Sequence, residues 1–107
     1  SVTPLMKNLI DWCSRAEGDD EAPSAVFRGK AAGLLAASPG TLGGLRGLVH
    51  LRSILGSIGV FVVPKQFALG RAQACFDTQG DLVDEKALGQ VAAVVRQTLD
   101  TAQRLRA

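Results

Sequence analysis

Apolar residues are spaced in two different ways along this chain, and the alternation between them sets out its elements. Leu5, Leu9, Ile10 and Cys13 recur at three- and four-residue intervals with Trp12 at their flank, the spacing of one helical face. Thr3 stands before them as a candidate N-cap, with Pro4 at the first helical position, where its missing N–H costs nothing. The pattern predicts a helix from Pro4 to about Ala16. Lys30 to Ala37 reads Lys-Ala-Ala-Gly-Leu-Leu-Ala-Ala, with no polar alternation, as a parallel strand covered on both faces does. Leu48, Leu51, Leu55 and Ile58 return to helical spacing and predict a helix of about 14 residues that packs one stripe on a sheet. Val49, His50 and Ile54 lie off that stripe, giving the helix a second apolar face suited to another layer or a partner subunit. Val60 to Val63 predicts a second short strand, closed by Pro64. Strand, helix and strand within about 35 residues form a βαβ unit, expected to cross over right-handedly.

The connecting segments carry turn chemistry. Glu17 to Glu21 is an acidic stretch completed by Ala22-Pro23-Ser24 and reads as a solvated loop. Ala25-Val26-Phe27 forms an apolar plug before Arg28-Gly29 turns the chain into the first strand. Lys65 to Phe76 is expected to be a loop with a short helical turn at Gly70–Ala74, followed by a polar turn at Asp77-Thr78-Gln79-Gly80-Asp81. A long amphipathic helix begins at Asp84 or Glu85. Leu88, Val91, Val95, Leu99 and Ala102 mark its expected buried stripe, and Arg96, Asp100, Gln103 and Arg106 its wet one.

The most informative connection is Ser38-Pro39-Gly40-Thr41-Leu42-Gly43-Gly44, between the first strand and the second helix. Glycines here allow positive φ without steric cost and close approach of backbone to a flat or anionic group. A helix start after a strand presents N–H groups to a nucleotide-like ligand. Any strand-to-helix turn also needs small residues, so the loop by itself divides evenly between a binding and a purely structural role.

Composition narrows the function classes. The chain has 107 residues, enough for one domain, with 47% hydrophobic and 21% charged residues, ordinary values for a folded soluble protein. A net charge of +2 scattered along the chain argues against nucleic acid or an anionic membrane as partner. Five aromatics without a tyrosine make no stacking platform for single strands. No apolar run nears the roughly 20 residues of a bilayer span, and no secretory leader opens the chain. Cys13, Cys75 and His50 have no metal-ligand spacing, and the two cysteines are expected to be small buried hydrophobes. These features together lead to the expectation of a cytoplasmic protein.

The element count leaves a gap. Three helices and two wholly apolar strands fall short of an open doubly wound sheet, which carries about five strands. The pattern is that of the second half of such a domain, and a first half is expected outside these residues.

Specific strings extend this reading. Thr3 to Arg15, Thr-Pro-Leu-Met-Lys-Asn-Leu-Ile-Asp-Trp-Cys-Ser-Arg, resembles the segment S-x-P-x-x-K-N-x-I-D-W-x-S-R of the NAD(P)H-dependent FMN reductases, the flavodoxin-like flavin, quinone and chromate reductases. Phe27-Arg28-Gly29-Lys30 resembles their F-x-G-K entry to the fourth strand, and Ala37 to Gly44 their A-S-x-G-x-x-G-G loop. Leu45-Arg46 followed by His50-Leu51-Arg52 is similar to A-R-x-x-x-H-L-R with a departure at Leu45, and Phe76 to Asp84 to F-D-x-x-G-x-L-x-D.

The resemblance implies the C-terminal part of a flavodoxin-like doubly wound parallel sheet, about two strands and three helices over residues 1–107. It implies FMN at the carboxyl ends of the strands and NADPH or NADH as electron donor, with hydride passing to flavin N5. Electrons then go on to a quinone, free flavin or similar small acceptor, in a dimer or tetramer. No catalytic side chain is implied, because the flavin carries the redox chemistry. The cofactor contacts implied are Ser38, Pro39, Gly40, Thr41, Gly43 and Gly44 at the flavin ring edge, where donors stabilise charge developing on reduction. Ser1, with Val2 and Thr3, would follow a loop along the ring's other side. The family's phosphate-binding turn after the first strand has no counterpart in these residues. The alternative is a truncated, non-enzymatic α/β fragment that folds by oligomerising through its open sheet edge. In either reading, Arg46 and Arg52 are expected to pair across subunits or to lie in solvent.

Overall fold

Ala31–Ala37 and Phe61–Leu69 are apolar enough to be covered on both faces, and they pair in parallel as strands β1 and β2 of a two-stranded sheet. The computed structural model describes residues 2–15 and 25–106. Among these the element order is helix α1 (Pro4–Cys13), a 3₁₀ turn (Ala25–Phe27), β1, helix α2 (Leu45–Ser57), β2, a second 3₁₀ turn (Ala72–Cys75) and helix α3 (Glu85–Arg106). The acidic stretch from Glu17 to Ser24 and residue Ser1 lie outside the described residues. Helices α2 and α3 both pack on β1 and β2, and the buried residues Leu34, Leu48, Val60, Val63, Leu69, Ala87 and Val94 form the core where they meet. This is a partial flavodoxin-like α/β fold, as the sequence predicts.

Helix α1 starts as expected. The Met6 N–H donates to Thr3 Oγ1 at 3.2 Å, Pro4 occupies the first turn, and Lys7 pairs with Asp11 at 2.8 Å one turn on. It ends at Cys13, short of Ala16, where the Ser14 hydroxyl donates to the Asp11 carbonyl oxygen. Of its apolar face only Ile10 is buried; Leu5 is 80% exposed, and Leu9, Trp12 and Cys13 are exposed too. The Arg15 guanidinium lies 4.7 Å from the Trp12 ring centre. The expectation of buried cysteines therefore fails, since Cys13 is exposed and Cys75 half-buried.

The second strand is longer than the sequence predicts. Pairing runs from Ala31↔Phe61 and Ala32↔Val62, then resumes at Leu34↔Gln66 and continues to Ala37↔Leu69. One residue of β1 thus stands opposite Val63, Pro64 and Lys65, and the excess bulges out of the ladder. Proline, which has no N–H to give a ladder, sits in that bulge instead of ending the strand. The bulge is held from both sides of the sheet. The Lys65 N–H donates to Gln97 Oε1 of α3 at 2.8 Å, and Arg52 of α2 donates through Nε and Nη2 to Gln66 Oε1 at 3.2 and 2.8 Å. Arg52 is thus a half-buried strut within the chain instead of a cation lying in solvent.

The stripes of α2 and α3 differ in how well they match expectation. In α2, Leu48 is 3% exposed, with Leu51, Leu55 and Ile58 half-buried beside it. Helix α3 is capped by Asp84, whose Oδ1 accepts from the Ala87 N–H at 2.9 Å. It turns Ala87, Val91, Val94 and Thr98 to the sheet, while Leu88, Val95 and Leu99 are exposed. The reason is close approach: a Cβ on Gly33 of β1 would overlap Thr98 Oγ1 and lie 2.9 Å from Val94 Cγ1. Small side chains let the helix settle against the strand, and the larger leucines are left at its flank. The polar turn forms as predicted, with Asp77 Oδ1 accepting from the N–H groups of Gln79 and Asp81, and Gly80 at φ 85°.

Adding the methyl group of Gly33→Ala is expected to cost about 1–3 kcal/mol by overpacking. Thr98→Ala in the same chain should return most of it, read as a positive coupling in a urea double-mutant cycle.

Candidate functional site

Both strands end at the same edge of the sheet, and there the loop Ser38–Gly44 crosses from β1 to α2. Its shape follows from a few local bonds. The Ser38 Oγ accepts from the Gly40 N–H at 3.1 Å, which closes the first turn. The Leu45 N–H donates to the Leu42 carbonyl oxygen, and the Gly47 N–H to that of Gly44, opening the helix. Gly43 and Gly44 carry φ of 64° and 86°, a conformation that other residues adopt only with strain.

Beside it runs the segment that leaves β2, and the two are joined backbone to backbone. The Ser38 N–H donates to the Leu69 carbonyl oxygen at 3.0 Å, the Arg71 N–H to Gly40 at 2.8 Å, and the Ala72 N–H to Ser38 at 3.0 Å. A Cβ on Gly43 would come within 2.5–2.7 Å of the Ala68, Leu69 and Gly70 backbone, and one on Gly70 would strike the Thr41 carbonyl. Arg71 takes φ 48°, unique among the described non-glycine residues in its positive value.

These bonds leave a run of backbone donors open. The N–H groups of Thr41, Leu42, Gly43 and Gly44 make no hydrogen bond within the described residues, and Thr41, Leu42 and Gly44 are exposed. Gly40 is open as well, with Ser38 Oγ at 3.5 Å the nearest atom to a Cβ placed there. Ser38 accepts inside the loop, and its hydroxyl hydrogen makes no bond among the described residues. Successive N–H donors at a helix start, with bare glycine backbone beside them, fit a planar ring whose edge bears carbonyl oxygens and a developing negative charge. An isoalloxazine edge has that chemistry.

The residues singled out from the sequence fall together with one exception. Ser38, Pro39, Gly40, Thr41, Gly43 and Gly44 form one continuous loop. Val2 and Thr3 line a cavity of about 250 Å3 with Ala37 and Gly44, so the start of the described chain does flank the loop. Ser1 lies outside the described residues. On the other side a wider groove of about 600 Å3 is lined by Thr41, Gly70, Arg71, Asp84 and Lys86. Sequence reasoning gave no site role to Leu69, Gly70, Arg71 and Ala72, placing them in a loop with a short helical turn at Gly70–Ala74; the turn forms at Ala72–Cys75. The signal available was a glycine closing the apolar run Phe67-Ala68-Leu69, directly across the sheet edge from a glycine loop.

Parallel strands with a glycine loop at their carboxyl edge and helices packed on the sheet make up part of a flavodoxin-like α/β domain. The family described as NADPH-dependent FMN reductase matches residues 1–74, and the chain belongs to that family. It is 40% identical over 88 residues to an NAD(P)H-dependent FMN reductase of Pseudomonas aeruginosa, covering 81% of this chain and 44% of the relative. It is 36% identical over 98 residues to an NAD(P)H:quinone oxidoreductase of Solanum tuberosum, covering 89% and 46%. It is 30% identical over 100 residues to an NADH:(hydroxy)cinnamate reductase subunit of Vibrio ruber, covering 91% and 46%. The matches thus span less than half the length of each of these relatives. No helix among the described residues is long and apolar enough to cross a membrane.

Gly43→Ala is expected to cost about 2 kcal/mol or more, because it adds a positive-φ penalty to a clash with backbone that cannot give. Gly40→Ala should stay within about 0.5 kcal/mol of the parent. Chemical denaturation of the two variants side by side checks the contrast.

Proposed function

We propose that this chain is the C-terminal part, residues 1–107, of a flavodoxin-like NAD(P)H-dependent reductase domain, in which the Ser38–Gly44 loop holds the edge of FMN. The observation that carries the reading is the run of open N–H donors from Thr41 to Gly44 on the carboxyl edge of a parallel sheet. Family membership supports FMN as the group and NADPH or NADH as its reductant. When bound, the group supplies transfer of hydride from the reduced nicotinamide and onward delivery of the electrons to a quinone, free flavin or similar acceptor. Relatives named as FMN and quinone reductases support those acceptor classes.

The residues of this chain bind and orient. Thr41, Leu42, Gly43 and Gly44 offer backbone donors to the pyrimidine edge, Ser38 offers its hydroxyl hydrogen, and Gly40 lets the ring lie against bare backbone. Pro39 stiffens the approach and gives no donor. Val2 and Thr3 border the ring from the side of α1. No side-chain acid or base is required, since the proton inventory of hydride transfer is carried by the cofactors.

The sheet also supports association with more polypeptide. The outer edge of β1 has no strand beside it among the described residues, and Leu35, Leu88, Val95 and Leu99 are exposed nearby. In our reading the N-terminal part of the same domain covers this face, and the assembled domains form a dimer or tetramer in the cytoplasm. The second reading, a non-enzymatic fragment, has a second copy cover it.

Gly40→Val is expected to abolish FMN binding, measured by flavin fluorescence, while helix content by circular dichroism stays at the parent value. Unchanged affinity removes Gly40 from the site. FMN should also shift the amide resonances of Thr41 to Gly44 first among those of the described residues; resonances that stay in place under saturating FMN defeat the loop assignment. Sedimentation of the 107-residue chain with and without FMN separates the two readings of the open edge. An FMN-free oligomer that binds no flavin favours the second.

A further inference from the structure

The loop assigned to the cofactor is closed at each end by local bonds, at Ser38–Gly40 and where Leu42 and Gly44 accept from the first turn of α2, but its middle is not held from within. The open donors of Thr41 to Gly44 contribute nothing internal. The further restraint comes from outside, from Leu69, the last paired position of β2, and the three residues that follow it. Three backbone hydrogen bonds of 2.8–3.0 Å join Ser38 and Gly40 to Leu69, Arg71 and Ala72. The fit is as close as backbone allows, because Gly43 abuts the Ala68–Gly70 chain and Gly70 abuts the Thr41 carbonyl. The Arg71 N–H reaches Gly40 from a left-handed backbone at φ 48°, ψ 45°, a strained state that the surrounding bonds must hold in place.

From this we infer that Leu69–Ala72 is a brace that sets the cofactor loop, and that Gly70 and Arg71 are positioning residues for the flavin although they lie on the far side of the loop. The inference rests on the cofactor reading of Ser38–Gly44. Its physical content is that the direction of the four open N–H groups is decided by contacts made from β2. Gly70 acts by being absent, since it has an ordinary φ and a Cβ there would push the Thr41 peptide out of line. Arg71 acts through its main-chain N–H, so its side chain is dispensable for this role.

The test pairs Gly70→Ala with Arg71→Gly in the FMN-binding protein, with Gly89→Ala as control because a Cβ there meets nothing within 4 Å. In the FMN-free state, Gly70→Ala is expected to speed amide hydrogen exchange at Ser38, Arg71 and Ala72 about tenfold or more, while amides inside α3 keep their rates. The same variant is expected to raise the Kd for FMN about tenfold or more. Arg71→Gly keeps the N–H and relaxes the backbone, so both quantities should stay within about twofold of the parent. A general loss of stability would speed exchange in α3 too, which a local brace does not. Should Gly70→Ala fail to fold, the parent supplies a second measure. Saturating FMN should slow exchange at Arg71 and Ala72 about tenfold through the loop they hold.

Unchanged exchange at Ser38, Arg71 and Ala72 in folded Gly70→Ala overturns the inference. So does FMN saturation that leaves Arg71 and Ala72 at their free rates. Failure of the underlying cofactor reading has a separate signature: bound FMN leaves the Thr41–Gly44 amides unshifted in the parent, and the positioning role falls with it.

Discussion

Backbone packed directly on backbone, at the place where the loop after β1 meets the tail of β2, is the contact from which the rest of this structure is laid out. Nothing stands between the two chains: Gly43 faces the Ala68–Gly70 peptides and Gly70 faces Thr41. Because both partners are main chain, neither yields to the other by a rotamer change, and no side chain fits at Gly43. Gly44 is the N-cap of α2, so the axis of that helix is set from the same point. The axis in turn brings Leu48 into the core and carries Arg52 to Gln66, which fastens the bulge in β2. A site made of backbone donors and a core made of leucines are thus consequences of one steric arrangement.

The opposite face of the sheet is governed by a related economy of side-chain volume. Gly33 and the small residues of α3 let helix and strand approach closely, and the larger apolar residues of the helix are left to one side. Close approach gains dispersion contacts and excludes water from the β1–α3 seam. The hydrophobic surface is thereby divided into a finished part under α3 and an unfinished part beside β1, where Leu35, Val95 and Leu99 are exposed.

Much of this was legible in the residues. The helix start at Pro4 follows from Thr3 as a cap, the start of α3 at Glu85 from the onset of amphipathic spacing, and β1 and the α2 stripe from unmixed apolar spacing. The loop was legible because Ser38 to Gly44 concentrates glycines between a strand and a helix, and the family strings gave it chemistry. Four features were not. Pro64 signalled a strand end, yet tertiary bonds from Gln97 and Arg52 carry the strand through it as a bulge. The α3 stripe keeps Val91 and Ala102 but passes through Ala87, Val94 and Thr98 in place of Leu88, Val95 and Leu99, because spacing ranks large apolar residues as buried, whereas Gly33 selects close packing. The role of Gly70 and Arg71 was hidden because it resides in main-chain groups and in the absence of a Cβ, neither of which leaves a pattern in residue type. Arg52 was misjudged for a similar reason: its partner, Gln66, becomes a neighbour only once β2 is bulged.

The bulge at Val63–Lys65 gives the sheet a direction of growth. At β2, Pro64 has no N–H and the Lys65 N–H is committed to Gln97, so two successive positions withhold the donors that an incoming strand needs, and a lysine side chain adds charge there. At β1, the run Ala31–Ala37 is regular and carries no charge. Among the described residues both strand edges are unpaired, ordinarily a template for uncontrolled stacking, but the β2 edge is interrupted at Pro64 and Lys65 while the β1 edge is not. On the reading proposed above, added strands would dock at β1, and an aggregation hazard would become a single addressable seam.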